Sequence, residues 1–192
     1  MLVLIAGLVL FLGIHSVRIA APAWRDQQIA QRGEKPWKAL YSIASAVGLG
    51  LIIGGFDLAR ENPVLLWVRP TWAPHLTILL VVIAFILFAA SGGPGNRIKR
   101  TVHHPMVAGT ALWAAGHLLS NGTLADLLLF GAFLAWAVIA YVASLARDRR
   151  TGAQYAGSTL RADLIPVAAG LVLAVLFIFV LHRWLFGVSP LS

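Results

Sequence analysis

The chain contains no cysteine. Disulfides, thiolate haem ligands and cysteine-based zinc sites are thereby excluded. Charge is scarce too: 11% of the 192 residues are Asp, Glu, Lys or Arg, against about 25% in an ordinary globular domain. Acid is scarcest, with 7 Asp and Glu beside 15 Lys and Arg. Glu34 and Glu61 are the only glutamates, so a paired-carboxylate hydrolase has little to build on. Asp57, Asp126 and Asp163 sit at or just outside the ends of apolar runs. The intramembrane carboxylates of proton- and ion-coupled transporters are therefore missing. No Walker A, G-x-S-x-G or H-E-x-x-H pattern occurs.

What the chain has in abundance is apolar surface. Hydrophobic residues make up 59% of it, and mean hydropathy is +0.84. A soluble domain of this length would have too few charges to cover itself, whereas lipid as solvent removes that difficulty. Spanning a bilayer takes about 20 mostly apolar residues. Six segments qualify in outline: Leu2–Ala21, Ala39–Phe56, His75–Ser91, Pro105–Ser120, Leu124–Ala146 and Leu164–Phe186. The expected fold is an all-α polytopic membrane bundle of about six transmembrane helices, with residues 1–192 forming one domain. The first segment resembles the apolar core of a secretory signal, but its basic residues, Arg18 and Arg25, follow it, so it reads as a retained span.

Loop charge orients the bundle. Loops one, three and five carry 12 of the Lys and Arg residues, and the opposite side carries 3, namely Arg60, Arg69 and Arg183. Cytoplasmic loops collect Lys and Arg, so both termini are expected on the non-cytoplasmic side. The net charge of +8 and pI near 11.1 then belong to membrane topology and need no nucleic acid. Loop one is the longest and most polar, flanked by the interfacial aromatics Trp24, Trp37 and Tyr41. Ser91-Gly92-Gly93-Pro94-Gly95-Asn96 reads as a flexible turn. Gly50 with Gly54, and Ala111 with Ala115, have the small-xxx-small spacing of closely packed helices.

Ionisable groups within the apolar runs are the candidates for chemistry, and here these are histidines. His75, His103, His104 and His182 lie near segment boundaries, where imidazole reaches water or headgroups, and His104-Pro105 fits a helix start. His15 and His117 lie well inside. Each has two readings: a neutral histidine hydrogen-bonded between helices, or an axial ligand to haem iron. Gly7 and Gly13 before His15, and Gly116 before His117, leave room for a flat macrocycle. Trp113 lies one turn from His117 on the same face. Arg18 and Arg25 are placed to pair with propionates. The two histidines differ in expected depth by roughly 12 Å, at 1.5 Å per residue. The run Arg147-Asp148-Arg149-Arg150 reads as a loop held at the lipid surface or a headgroup contact.

The ordered residues carry a resemblance. Gly13-Ile14-His15-Ser16 is followed by Arg18, Arg25, Gly33 and Trp37. Thr101-Val102-His103-His104-Pro105-Met106-Val107-Ala108-Gly109 leads into Leu112-Trp113-Ala114-Ala115-Gly116-His117-Leu118-Leu119-Ser120-Asn121-Gly122, and Asp148-Arg149-Arg150 follows. From His15 to about Tyr155 this resembles the NnrU family of bacterial membrane proteins, which is similar to zeta-carotene isomerase. The resemblance implies haem b held by His15 and His117. It also implies an association with denitrification and nitric oxide metabolism, or redox isomerisation of a polyene. In the isomerase a cysteine precedes the second histidine by three residues; Ala114 stands there in this chain, so a thiolate ligand switch is not available to it. His104-Pro105 with Gly109 also resembles the start of membrane methyltransferases that use S-adenosylmethionine, but Asp148 to Tyr155 lacks their paired glutamates and His103 replaces their arginine.

The expectation is a multi-pass protein of the bacterial inner membrane that binds haem b and acts on a hydrophobic or gaseous small molecule. Its alternatives are a non-catalytic assembly factor partnered with a respiratory complex, and the methyltransferase. His103 or His104 is the candidate replacement if His15 and His117 do not form the ligand pair. A cysteine introduced at Lys99 is expected to react with a membrane-impermeant maleimide from the cytoplasmic side alone. Labelling from the other side would overturn the orientation.

Overall fold

A computed structural model describes residues 1–92, 95–155 and 158–190, so Gly93 and Pro94 of the anticipated turn lie outside the described residues. Helix α1 covers Leu2–Ala20, α2 Pro22–Arg32, α3 Glu34–Arg60 and α4 Ala73–Ser91. The short α5, Arg97–Val102, precedes α6, Pro105–Ser120, and α7, Leu124–Thr151. Helix α8, Leu160–Leu176, passes through a π-helical turn at Phe177–Leu181 into α9, His182–Phe186. No strand occurs among the described residues.

Five helices are long and apolar enough to cross a membrane: α1, α3, α4, α7 and the continuous stretch Leu160–Phe186. The sixth apolar segment, α6, has 16 residues and is about 24 Å long. It nonetheless runs antiparallel beside α4 for almost all of α4's length. Gly109 faces Ala84 and Phe88 at one end, and Gly116 faces Leu80 and Thr77 at the other. Thr77 Oγ1 donates to the Gly116 carbonyl at 2.6 Å and pairs with Ser120 Oγ at 2.6 Å. Such bonds hold helices together where lipid competes for apolar contact.

Helices α1 and α3 form the closest pair, antiparallel along their backbones. A Cβ on Gly7 would lie 2.6 Å from Ile52 N, and one on Gly48 would lie 2.9 Å from Phe11 N. Gly55 is pressed closer still against the backbone of Leu4. The contact therefore uses Gly48 and Gly55, seven residues apart, rather than the anticipated Gly50 and Gly54, which meet no neighbour within 4 Å. The seven-residue spacing keeps both glycines on one face along two turns of α3. Gly7 is filled by α3, so it offers no room for a macrocycle, whereas Gly13 is open.

Loop one is largely helical. Pro22 stands at the first position of α2 and Gly33, at φ +88°, ends it, the pairing expected of a helix's two ends. Trp24 of α2 meets Trp37 of α3 edge-on at 5.8 Å. At 27 and 28 residues, α3 and α7 reach about 40 Å, longer than the hydrocarbon core of about 30 Å. Their basic ends therefore stand in the headgroup layer. At the opposite end the α3–α4 loop and the α6–α7 turn join through three backbone bonds: Leu66 N to Gly122 O (2.8 Å), Trp67 N to Gly122 O (3.2 Å) and Leu124 N to Val64 O (2.8 Å).

Gly7→Leu is expected to destabilise the bundle by about 1–3 kcal/mol through overpacking, seen as a lowered thermal midpoint in detergent. Gly54→Ala is expected to leave the midpoint unchanged or slightly raised.

Candidate functional site

His15 and His117 are both half-buried and both are locally fixed. His15 Nδ1–H donates to the Phe11 carbonyl at 2.7 Å, and His117 Nδ1–H donates to the Trp113 carbonyl at 2.8 Å. A carbonyl only accepts, so each ring carries its proton on Nδ1 and presents Nε2 as an acceptor. This is the arrangement by which metal-binding imidazoles are oriented by a backbone partner. The turn around His117 is further braced, because Asn121 Nδ2 donates to its carbonyl at 2.8 Å.

An aromatic layer joins the two histidines. His15 stacks on Phe11 with ring centroids 4.2 Å apart, and meets Tyr41 at 5.1 Å and Trp136 at 6.1 Å. His117 stacks on Phe130 at 4.7 Å and lies 5.2 Å from Trp113. Phe133 touches both Phe11 (5.8 Å) and Trp113 (5.5 Å). Helix α7 thus serves as a ruler: His15 sits at Trp136 and His117 at Phe130, six residues or about 9 Å apart along the axis. Trp136 Nε1 is buried without an acceptor. In a low-dielectric interior an unpaired donor is costly, so this atom suits a ligand carrying an acceptor.

Haem can be tested against these residues. The donor set fits: two imidazoles on different helices with Nε2 not used by the backbone bond, an aromatic lining, and an unpaired N–H beside His15. Phe11, Phe130, Phe133 and Trp113 fill the interval, so a macrocycle would take the place these rings occupy. Arg18 lies one turn beyond His15 on α1, toward the basic end, while Arg25 is paired with Asp26 at 2.7 Å. Ala114 is fully buried among Leu4, Leu8 and Phe130. Among the described residues no three His, Asp or Glu side chains are grouped to hold a bare metal ion.

A second cluster lies at the basic end. His104 caps α6, and its Nε2–H donates to Asp148 Oδ2 of α7 at 2.8 Å. Tyr155 O–H donates to the same carboxylate oxygen. His103 Nδ1 stands 3.9 Å from it, at the corner between α5 and α6. That corner holds His103 at φ +63°, a conformation costing a non-glycine residue about 1–3 kcal/mol. Tyr141 O–H donates to the Val102 carbonyl at 2.9 Å and ties the corner to α7. Position in the sequence leaves His103 and His104 as interfacial residues; the signal for the cluster is the single acid Asp148 enclosed by arginines. Of the other histidines, His75 is exposed in the first turn of α4, and His182 Nδ1–H donates to the Val188 carbonyl at 2.8 Å.

The fold and its paired interior histidines define a multi-pass helical membrane protein. The family model described as NnrU protein matches residues 3–190, and the chain belongs to that family. No curated protein and no solved structure matches it.

Burial and the bond to Asp148 push the Tyr155 phenol up to about 12. In an ultraviolet titration near pH 12, one phenolate step is therefore expected that Tyr155→Phe removes. If the step that Tyr155→Phe removes lay near pH 10, the ordinary tyrosine value, the raised phenol would be disproved.

Proposed function

We propose that this NnrU-family protein binds haem b between α1, α6 and α7, where Nε2 of His15 and of His117 would hold the iron. The observation that carries the reading is the pair of Nδ1–carbonyl bonds, which gives both imidazoles the ligating tautomer in advance. Bound there, haem supplies an iron centre for redox or redox-linked isomerisation chemistry on a hydrophobic or gaseous molecule, such as a polyene or nitric oxide. The chain's own residues do the rest. The Phe11 and Trp113 carbonyls orient the imidazoles, and Phe11, Phe130, Phe133 and Trp113, moved aside by the macrocycle, would line it and exclude water. Trp136 Nε1–H offers a donor near His15. Arg18 is placed to meet a propionate at the basic end, and Arg25 would do so by leaving Asp26. The bacterial inner membrane, with the basic end in the cytoplasm, is the matching location, and the association with denitrification is what the family resemblance implies.

Protein purified after haem-replete expression is expected to show a Soret band that shifts on reduction. His15→Ala and His117→Ala are each expected to lose or displace it. A wild-type protein without a Soret band, or variants with an unchanged spectrum, would overturn the assignment. Unimpaired activity in both variants would favour the assembly-factor reading.

A further inference from the structure

A cavity of about 270 Å³ opens at the basic end, lined by Gly95, Asn96, Lys99, Arg100, Gln154 and Tyr155. Its charged lining is entirely cationic. The turn that carries them is fixed, and so is the Lys99 side chain. Asn96 is 2% exposed and has both ends of its side chain engaged. Its Nδ2–H donates to the Ala90 carbonyl at 2.9 Å, and its Oδ1 accepts from Lys99 N at 2.7 Å. This pins the turn that carries Lys99 and Arg100 to the end of α4. Lys99 Nζ donates to the Ser91 carbonyl at 3.2 Å, which leaves two of its three N–H bonds for another acceptor.

The acids of this end are committed elsewhere. Asp148 accepts hydrogen bonds from His104 and Tyr155. Asp163 accepts from the Arg97 backbone at 2.6 Å and from Ser158 at 2.6 Å, and pairs with the Arg97 guanidinium at 3.1 Å. Tyr155 forms a wall of the cavity and stays protonated, because burial and Asp148 hold its phenol at about 12. The cavity therefore presents one cation held in place, Lys99, a second, exposed one at Arg100, an amide side chain at Gln154 and no acidic side chain. It lies at the level of lipid headgroups, on the face where anionic lipids concentrate. At about 270 Å³ it has room for a phosphate with a short organic substituent.

We infer that this cavity is a phosphate-binding site, formed by Lys99 and Arg100 and backed by the Tyr155–Asp148–His104 network. It is independent of the paired interior histidines and stands whether or not haem binds. A phospholipid headgroup and a soluble phosphate monoester share the chemistry it reads, and the test separates them.

The full chain would be purified in detergent at 0.3 M salt, where contacts of exposed charges are largely screened. Native mass spectrometry would count phosphatidylglycerol retained after delipidation, and sn-glycerol 1-phosphate would be titrated as the soluble probe. Wild type is expected to retain one lipid, and Lys99→Gln/Arg100→Gln to hold it about 30-fold more weakly. Arg149→Gln/Arg150→Gln, which removes the same charge from the exposed end of α7, is expected to match wild type. Lys99→Arg is expected to retain the lipid. Displacement of lipid by the soluble probe supports headgroup recognition, while binding of the probe without lipid supports a soluble phosphate. No binding of either, or an equal loss in the two double variants, would overturn the site.

Discussion

In a bilayer the tails are as apolar as leucine, so bringing two helices together gains little from burying hydrocarbon. What remains is the closeness with which backbones can approach. Helices α1 and α3 approach through Gly7, Gly48 and Gly55, each of which meets main-chain atoms of the facing helix. Helix α4 is contacted in the same way by Gly109 and Gly116 of α6 and by Gly170 of α8, which packs on Ile86. Everything else depends on this spacing. Because α1 sits tight on α3, His15 is directed toward Tyr41 and Trp136. Because α6 sits tight on α4, His117 is directed toward α7.

Helix α7 collects both outcomes. Its Phe130, Phe133 and Trp136 form one side of the aromatic layer, and its Asp148 anchors the basic end. One helix thus carries a dry interior face and a polar terminus, and its 28 residues are long enough for both. The interior histidines and the cationic cavity share a scaffold while remaining chemically separate.

Much of the fold was legible in the sequence because a bilayer imposes a length and a polarity on each span. The ends of α6 at Pro105 and Ser120 agree with the apolar run, since Pro105 fixes the start. The full extent of α3 and α7 was not legible, because their last turns are polar and solvated, and hydropathy stops at the hydrocarbon edge. The helicity of α2 was hidden for the same reason, although Pro22 and Gly33 mark its ends. Among glycines, the four-residue spacing of Gly50 and Gly54 was misleading, because it does not tell which face meets a neighbour. Depth in the apolar runs and the family resemblance both single out His15 and His117. Their bonds to Phe11 and Trp113 are local four-residue contacts that any helical histidine can form, so sequence alone could not specify them. The gathering of His104, Asp148 and Tyr155 joins three segments, and no local pattern announces it.

The two ends of the bundle are joined by different kinds of bond. Away from the basic face, the loop after α3 and the turn before α7 are clasped by main-chain hydrogen bonds, which neither pH nor salt removes. At the basic face, the joints are His104 with Asp148, Tyr155 with Asp148 and Arg97 with Asp163. These are ionisable side chains in the headgroup layer, open to protons and counter-ions. The molecule is therefore riveted at one rim and latched at the other. Any breathing between its halves has its fulcrum at the riveted rim and its widest excursion at the basic end.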